Sequence, residues 1–329
     1  MSTPTHAASR LPLLSADVSG EPCDLSCAGV TKHYPDFSLS DVSLAVPRGS
    51  VVGLVGQNGA GKTTLMRALL GTLNLDGGSV SLFGQDTGSL GERDRAAIRA
   101  RVGFVSAVCS YPPTMSVAQV GAMYDLAFPQ FDYRLFQDLL ERLEVVPDVN
   151  DPAPHRSRAA QKKVSDLSRG MGMKLQLACA LAAGVEVLVM DEPTAGLDPI
   201  VRDDVLDLVR EWMEPGDRSV LISSHITSDL EKIADYVALI DRGCLALFCE
   251  RDRIADEMGV ARLREAELER VLADGTVVRP GEARVLKQPM AFELLVTDRA
   301  AFARAYPELV CDRATIDDVM ALVVKGEVR

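Results

Sequence analysis

The residues best suited to chemistry are Gly56-Gln57-Asn58-Gly59-Ala60-Gly61-Lys62-Thr63, followed at once by Thr64. They fit the pattern G-x-x-x-x-G-K-[ST], whose known use is to hold phosphate. Gly56, Gly59 and Gly61 let the backbone turn so that successive N–H groups point inward, and a helix beginning at the end of the loop aims its positive N-terminus at the same spot. Such a loop is a socket for a polyphosphate. Lys62 would reach the β and γ phosphates as a point charge, and the Thr63 hydroxyl would be one ligand of Mg²⁺. A glycine-rich turn with no ligand could fit the same pattern. The flanks argue for the socket, because the motif needs a strand before it and a helix after it, and Val51-Val52-Gly53-Leu54-Val55 and Thr64-Leu65-Met66-Arg67-Ala68-Leu69-Leu70 supply them.

A second group of candidates lies downstream. Val187-Leu188-Val189-Met190-Asp191-Glu192 is an apolar strand ending in two adjacent carboxylates, in the longer segment Gly184 to Pro193. A strand buried on both faces has no packing reason to end in acids, since an unpaired buried charge costs several kcal/mol. Asp191 could hold Mg²⁺ through water, and Glu192 could orient or deprotonate an attacking water. The strand Ser219 to Ser224 ends at His225. Most lone histidines are solvated or core residues, but at the carboxyl end of a parallel strand beside a phosphate socket a ligand-facing role is favoured. Ser168 and Gly170 sit at the start of a helix running to about Ala183, another position that attracts anions. Tyr34, between Lys32-His33 and Pro35, either covers a sheet surface or offers an aromatic face to adenine.

The rest of the chain must position these groups. Alternation of Cys23, Leu25 and Cys27, then Phe37 and Leu39, then Val42, Leu44 and Val46 predicts a small antiparallel sheet, and Gly77 to Gly84 reads as a turn and another strand. Leu90 to Ala100 reads as a charged helix and Val102 to Val105 as a short buried strand. From Ser116 to Arg158 the period is helical, punctuated by Pro129, Pro147, Pro152 and Pro154, which predicts a helical insertion between strands of a sheet. Beyond about Glu250 the pattern mixes a charged helix from Asp252 to Leu272, strands at Val277-Val278, Val285-Leu286 and Phe292 to Val296, and a last amphipathic helix. This predicts a small α+β addition, either packed plainly on the rest or with a regulatory or dimer-stabilising role.

Composition narrows the function classes. A length of 329 residues suits one enlarged domain or about two. No apolar run approaches the roughly 18 residues that cross a bilayer. The stretch from Met1 to Pro22 has only Leu11-Pro12-Leu13-Leu14 as an apolar centre and reads as a disordered leader. Seven scattered cysteines without C-x-x-C pairing suit reduced thiols in a cytoplasmic protein. A formal net charge of −12 argues against a broad nucleic-acid interface.

Taken together, in this order and spacing, these segments resemble the nucleotide-binding subunit of an ATP-binding cassette (ABC) transporter over residues 23 to about 250. Val51 to Thr64 resembles the Walker A loop, Val187 to Glu192 the Walker B strand with its catalytic glutamate, Ala195 to Asp198 the D-loop, and His225 the switch histidine. Tyr34 falls where the family places its adenine-stacking aromatic. Leu167-Ser168-Arg169-Gly170-Met171 resembles the signature L-S-G-G-Q, departing from it at Arg169 and Met171. The resemblance implies an α/β fold with a P-loop NTPase core of ABC ATPase type, an antiparallel β subdomain, a helical subdomain at about 108–184 and a C-terminal accessory domain at 251–329. It implies ATP and Mg²⁺ as ligands, the latter on Thr63 and Asp191. Gly56, Asn58, Gly59, Ala60, Gly61, Lys62, Thr63 and Thr64 would contact nucleotide, with Asp198 in the D-loop. Ser168 and Gly170 would touch the γ-phosphate held by a partner copy.

One further departure concerns the glutamine that the family carries just after the strand at 102–105, where this chain has Ser106-Ala107-Val108. The closing segment from Ala314 to Glu327 and the stretch around Lys163 to Met171 are similar to bacterial exporters whose permease is a separate polypeptide. The expected function is therefore an ATPase that dimerises around ATP, in homodimer form, and drives a membrane permease from its cytoplasmic face. The alternatives are a soluble ABC ATPase or a nucleotide-binding regulator. Translation-type soluble members carry two cassettes and DNA-repair types a long coiled coil, and neither pattern is present in the sequence.

Overall fold

A computed structural model describes residue 18 and residues 20–146, 162–279 and 281–329. The leader expected at 1–22 falls mostly outside the described residues, as do Pro147, Pro152 and Pro154 and the end of the helical insertion.

The chain opens with β1 (Cys23–His33) and β2 (Ser38–Pro47), followed by β3 (Val51–Val55), helix α1 (Lys62–Leu69), β4 (Gly77–Leu82) and β5 (Gln85–Asp86). Strands β2, β1, β4 and β5 form the expected antiparallel sheet, in that order. Leu25, Cys27 and Val30 of β1 and Leu39, Val42, Leu44 and Val46 of β2 are buried, as the alternation requires. Cys23 is only half-buried, while its neighbour Asp24 is buried, because the pairing with β2 is irregular between Cys23 and Leu25. The carboxylate of Asp24 accepts hydrogen bonds from Arg48 Nε at 2.9 Å and Ser219 Oγ at 2.8 Å, so it is buried with partners.

Next come α2 (Glu92–Arg99), β6 (Val102–Val105), α3 (Val117–Ala127), α4 (Tyr133–Arg142), α5 (Arg169–Ala182), β7 (Val187–Asp191), α6 (Pro199–Met213), β8 (Ser219–Ser223), α7 (Thr227–Ile233), β9 (Tyr236–Asp241) and β10 (Cys244–Glu250). A six-stranded sheet has the order β10-β9-β3-β8-β7-β6. All neighbours pair in parallel except β10 with β9. Every residue of β3, β7 and β8 is buried, which explains their continuous apolar runs. Strand β6 was expected to be buried but lies at the sheet edge, where Phe104 remains 40% exposed. Helices α3 and α4 start on the Ser116 capping box and the Asp132 cap and bury Val117, Val120, Phe136, Leu139 and Leu140.

The remainder comprises α8 (Arg251–Asp256), β11 (Gly259–Leu263), α9 (Glu265–Asp274), β12 (Arg284–Lys287), β13 (Phe292–Val296), α10 (Arg299–Ala305), β14 (Cys311–Arg313), α11 (Ile316–Lys325) and β15 (Glu327–Val328). Its sheet has the order β14-β11-β13-β12-β15. Two expectations are corrected here. The helix read from Asp252 to Leu272 is split by β11, because Gly259 to Leu263 pair with β13 along their whole length and with β14 in part. Long-range pairing overrides the local helical charge pattern. Val277-Val278 form no strand, and Val278 instead buries its side chain in the core beneath this sheet.

The sheet has two apolar faces. Val260 and its partner Leu295 join the cassette core with Leu230, Ile233 and Leu247, while Ala261 and its partner Leu294 join a separate core with Phe302 and Tyr306. The period-two geometry of strands turns neighbouring residues to opposite faces, so one sheet seals two cores.

Candidate functional site

The register of the central sheet gathers the chemistry. Leu54 pairs with Ser223 and Ser223 with Asp191, so β3, β8 and β7 end at one level, and the segments leaving them form one rim. This carboxyl edge is where an open α/β sheet receives its ligand.

The loop from β3 to α1 is built around backbone that tolerates no side chain. A Cβ on Gly56 would lie 2.4 Å from the Ile240 carbonyl oxygen, and one on Gly61 would lie 2.8 Å from the Phe37 ring, with φ there at +116°. The Lys62 side chain is buried and folds back: its ammonium donates to the carbonyl oxygens of Gly56 at 2.7 Å and Gln57 at 3.3 Å, and lies 3.5 Å from Glu192 Oε1. Thr63 Oγ1 donates to Asp191 Oδ2 at 2.8 Å. The hydroxyl oxygen and the carboxylate thus meet side by side, an all-oxygen donor set of the kind a hard cation such as Mg²⁺ takes.

The other oxygen of Asp191 accepts from Ser223 Oγ at 2.7 Å, and the same Ser223 oxygen accepts from the Glu192 N–H at 2.9 Å. Glu192 has φ of +53°, a left-handed conformation uncommon for a side chain of this size. Its carboxylate pairs with Nδ1 of His225, whose ring is half-exposed. Asp191, Glu192 and His225 therefore share one cluster with Lys62 and Thr63.

These groups line a cavity of about 630 Å³, together with Asp36, Phe37, Gln57, Asn58, Gly59, Gly61, Thr64, Ala107, Arg169 and Ala195. Of the other residues singled out in the sequence, Gly56 contributes the carbonyl that holds Lys62, and Ala60 is buried within the loop, its carbonyl accepting from Gly243 N–H at 2.8 Å. Tyr34 is exposed and is not part of the lining; its ring centroid lies 6.4 Å from that of Phe37, which is. Ser168 caps α5, accepting from the Met171 N–H at 3.2 Å, and Gly170 packs against Leu197. Asp198 caps α6 through Ile200 and Val201 N–H at 3.2 and 3.1 Å. None of these last three lines the cavity of its own chain.

The segment lacking a glutamine is tied down from elsewhere. Gln176 of α5, which is buried, donates through Nε2 to the Ser106 carbonyl at 3.1 Å and accepts from Ser106 Oγ at 3.0 Å. Sequence reading missed Ser223, Phe37, Arg169 and Gln176. A hydroxyl at the end of β8 was a usable signal for the first, and the second aromatic of the Tyr34–Phe37 turn for the next. The other two act across distances that only folding closes.

The family model described as "ABC transporter" matches residues 39–195. The Nod factor export ATP-binding protein I of Bradyrhizobium diazoefficiens is 34% identical over 235 residues, covering 71% of this chain and 72% of that protein. The chain belongs to the ABC transporter family. It is an ATP-binding subunit of that family and an ATPase. The daunorubicin resistance ATP-binding protein DrrA3 of Streptomyces coeruleorubidus is 32% identical over 247 residues, covering 72% of this chain and 73% of that one. Among solved structures, the ATP-binding subunit of an ABC transporter superposes with a TM-score of 0.59 at 21% identity, covering 70% of this chain and 91% of that one. An ATP-binding cassette in a dimeric, post-hydrolysis state with ADP and Pi gives a TM-score of 0.59 at 19% identity, covering 69% of this chain and 98% of that one. The P-loop core with antiparallel and helical additions is thus the ABC ATPase fold. Among the described residues, no helix of this ABC subunit is long and apolar enough to cross a membrane.

Proposed function

We propose that this chain powers export by a separate membrane permease, docked at the cytoplasmic face, by closing as a homodimer over two ATP molecules and reopening on hydrolysis. The observation that carries the reading is the continuous cluster Lys62, Thr63, Asp191, Ser223, Glu192 and His225 on one rim of the sheet. The relatives named for Nod factor export and daunorubicin resistance support the transporter reading over a soluble ATPase or a regulator.

In this scheme the loop amides and Lys62 bind the β and γ phosphates, and Phe37 or Tyr34 faces the base. Thr63 and Asp191 would hold Mg²⁺, which supplies neutralisation of the phosphate oxygens when bound. A water attacks the γ-phosphorus as Glu192 takes its proton, the bond from that phosphorus to the bridging oxygen breaks, and ADP leaves with the electron pair. His225 holds the Glu192 carboxylate before ATP arrives. A triphosphate gives Lys62 a stronger anionic partner than the two carbonyls it now contacts, which frees Glu192 for the water.

Ser168 and Gly170, outside the cavity of their own chain, are placed by this scheme against the γ-phosphate of the second copy. The test is Glu192→Gln, which keeps size and hydrogen bonding but removes the basic carboxylate. It should slow hydrolysis strongly and accumulate a nucleotide-bound dimer, and adding Ser168→Arg should abolish that dimer. Light scattering during chromatography with Mg-free ATP reads both variants. A Glu192→Gln chain that stays monomeric at saturating ATP, alone and with its permease, would show the sandwich to be wrong.

A further inference from the structure

Two departures from the family pattern meet in the nucleotide cavity. Ala107 stands where a glutamine is usual, and Arg169 where the signature has glycine; both line the cavity that Lys62, Thr63 and Glu192 share. At 107 the side chain is too short to reach a phosphate. At 169 it is long, cationic and forked.

Arg169 is the first residue of α5, and its guanidinium crosses the turn at 195–198. A Cβ on Gly196 would lie 2.6 Å from Arg169 Nη1 and 3.1 Å from its Cζ, so the guanidinium rests where any other residue would put a side chain. The backbone there has φ of +71°, which also favours glycine. Ala195, one residue before, lines the cavity. The start of α5 packs on the same turn, since a Cβ on Gly170 would stand in ordinary contact with Leu197 Cδ2 at 3.4 Å. Gly196 thus leaves room for the Arg169 guanidinium beside the turn, and both Arg169 and Ala195 line the cavity of the same chain.

The charges in the cavity are unevenly engaged. Lys62 is bonded to two carbonyls and faces Glu192, and Asp191 is bonded to Thr63 and Ser223. Among the described residues Arg169 has no hydrogen-bond or ion-pair partner. It is a cation with five donors that need leave no protein partner to meet an anion.

We propose that Arg169 recognises the terminal phosphate of the nucleotide bound to its own chain, so that segment 167–171 serves two nucleotides: Ser168 and Gly170 the partner's, Arg169 its own. The proposal rests on the site assignment made under Proposed function. A guanidinium grips phosphate oxygens in a bidentate fork, which gives a contact that a triphosphate offers and a diphosphate lacks. Arg169 thereby distinguishes ATP from ADP before any dimer forms.

The experiment is a pair of titrations, ATP and ADP, with divalent cations chelated so that nothing turns over, at concentrations where light scattering shows monomer. Arg169→Gln should weaken ATP about tenfold, as the loss of one charged hydrogen-bonded contact implies, and ADP less than about twofold. Equal changes for both nucleotides, no change, or a loss seen only once dimers form would overturn the proposal. Lys62→Ala in the same series should lose both nucleotides. If it bound ATP like the parent, the site assignment itself would fall, and the Arg169 proposal with it. Because Arg169 is exposed, the melting temperature of Arg169→Gln without nucleotide should match the parent.

Discussion

One hydroxyl, that of Ser223, touches both neighbouring acids: it donates to the Asp191 carboxylate at 2.7 Å and accepts from the Glu192 N–H at 2.9 Å. Glu192 needs such an anchor, because a left-handed backbone at a non-glycine residue costs on the order of 1–3 kcal/mol and persists only where its surroundings impose it. Ser223→Ala should therefore lower kcat by about tenfold while the KM for ATP moves less than about threefold, with Ser223→Thr recovering most of the rate. Steady-state phosphate release measures this, and an unchanged kcat would mean that the backbone alone holds Glu192. Lys62→Ala should cut ATP affinity by about a hundredfold, since a charge-assisted contact inside a ring of amides is lost. Isothermal titration reads that directly. Lys62 and Thr63 could be singled out in the sequence because the pattern that marks them occupies eight consecutive residues. Ser223 was not, because its contact to Asp191 depends on the register of β7 against β8.

Between elements, the ion pair of Arg101 and Glu186 ties the start of β6 to the approach to β7 with two contacts of 2.6 Å. The hydrogen bond from Arg101 holds the Glu186 carboxyl below its ordinary value of 4.5. A depressed folded-state value means that the pair's stabilisation is complete above about pH 4.5 and is lost as the pH falls through the lowered value. Both side chains are more than a third exposed, so screening keeps the contribution small, under about 1 kcal/mol. Glu186→Gln should lower the melting temperature by about 1–3 °C at pH 7 and by progressively less as the pH falls below 4.5, as a pH series by calorimetry would record. Helices α3 and α4 depend on a closer fit: a Cβ on Gly121 would lie 2.5 Å from the Phe136 ring. Gly121→Ala should destabilise the helical subdomain by about 1–3 kcal/mol despite alanine's better helix propensity, and thermal unfolding would detect it. Helical periodicity showed that these helices exist. Which glycine receives which ring depended on how they cross.

For the whole molecule, the C-terminal addition is part of the main core. Met258, Val260, Leu295, Ile316, Val319, Leu322 and Val323 pack in one cluster with Leu230, Ile233, Leu247 and Cys249 of the cassette. A chain ending at residue 250 would expose that face to water. It should melt at a markedly lower temperature and aggregate at concentrations where the full chain stays monodisperse, even though the cavity residues lie upstream. A truncated chain as stable as the parent would show that the two parts fold independently. Sequence reading caught the α+β character of this region and missed β11, because five residues among charged helix formers carry too weak a local signal to announce a strand paired on both sides.

The sequence alone determined what lies in contiguous residues: the glycine-rich loop with its flanking strand and helix, the strand ending in Asp191 and Glu192, and the order of segments that marks the family. These are legible because a strand, a tight turn and a helix start are set by neighbours in the chain, and the residue types they demand are few. Tertiary structure decided everything that requires two distant segments to meet. It set Asp191, Ser223 and Leu54 at one level of a parallel sheet and placed the Phe37 ring against Gly61. It also brought Arg169 across Gly196 into its own cavity and bound Gln176 to Ser106. Such contacts depend on strand register and helix approach at the scale of a few ångströms, and no local propensity encodes that.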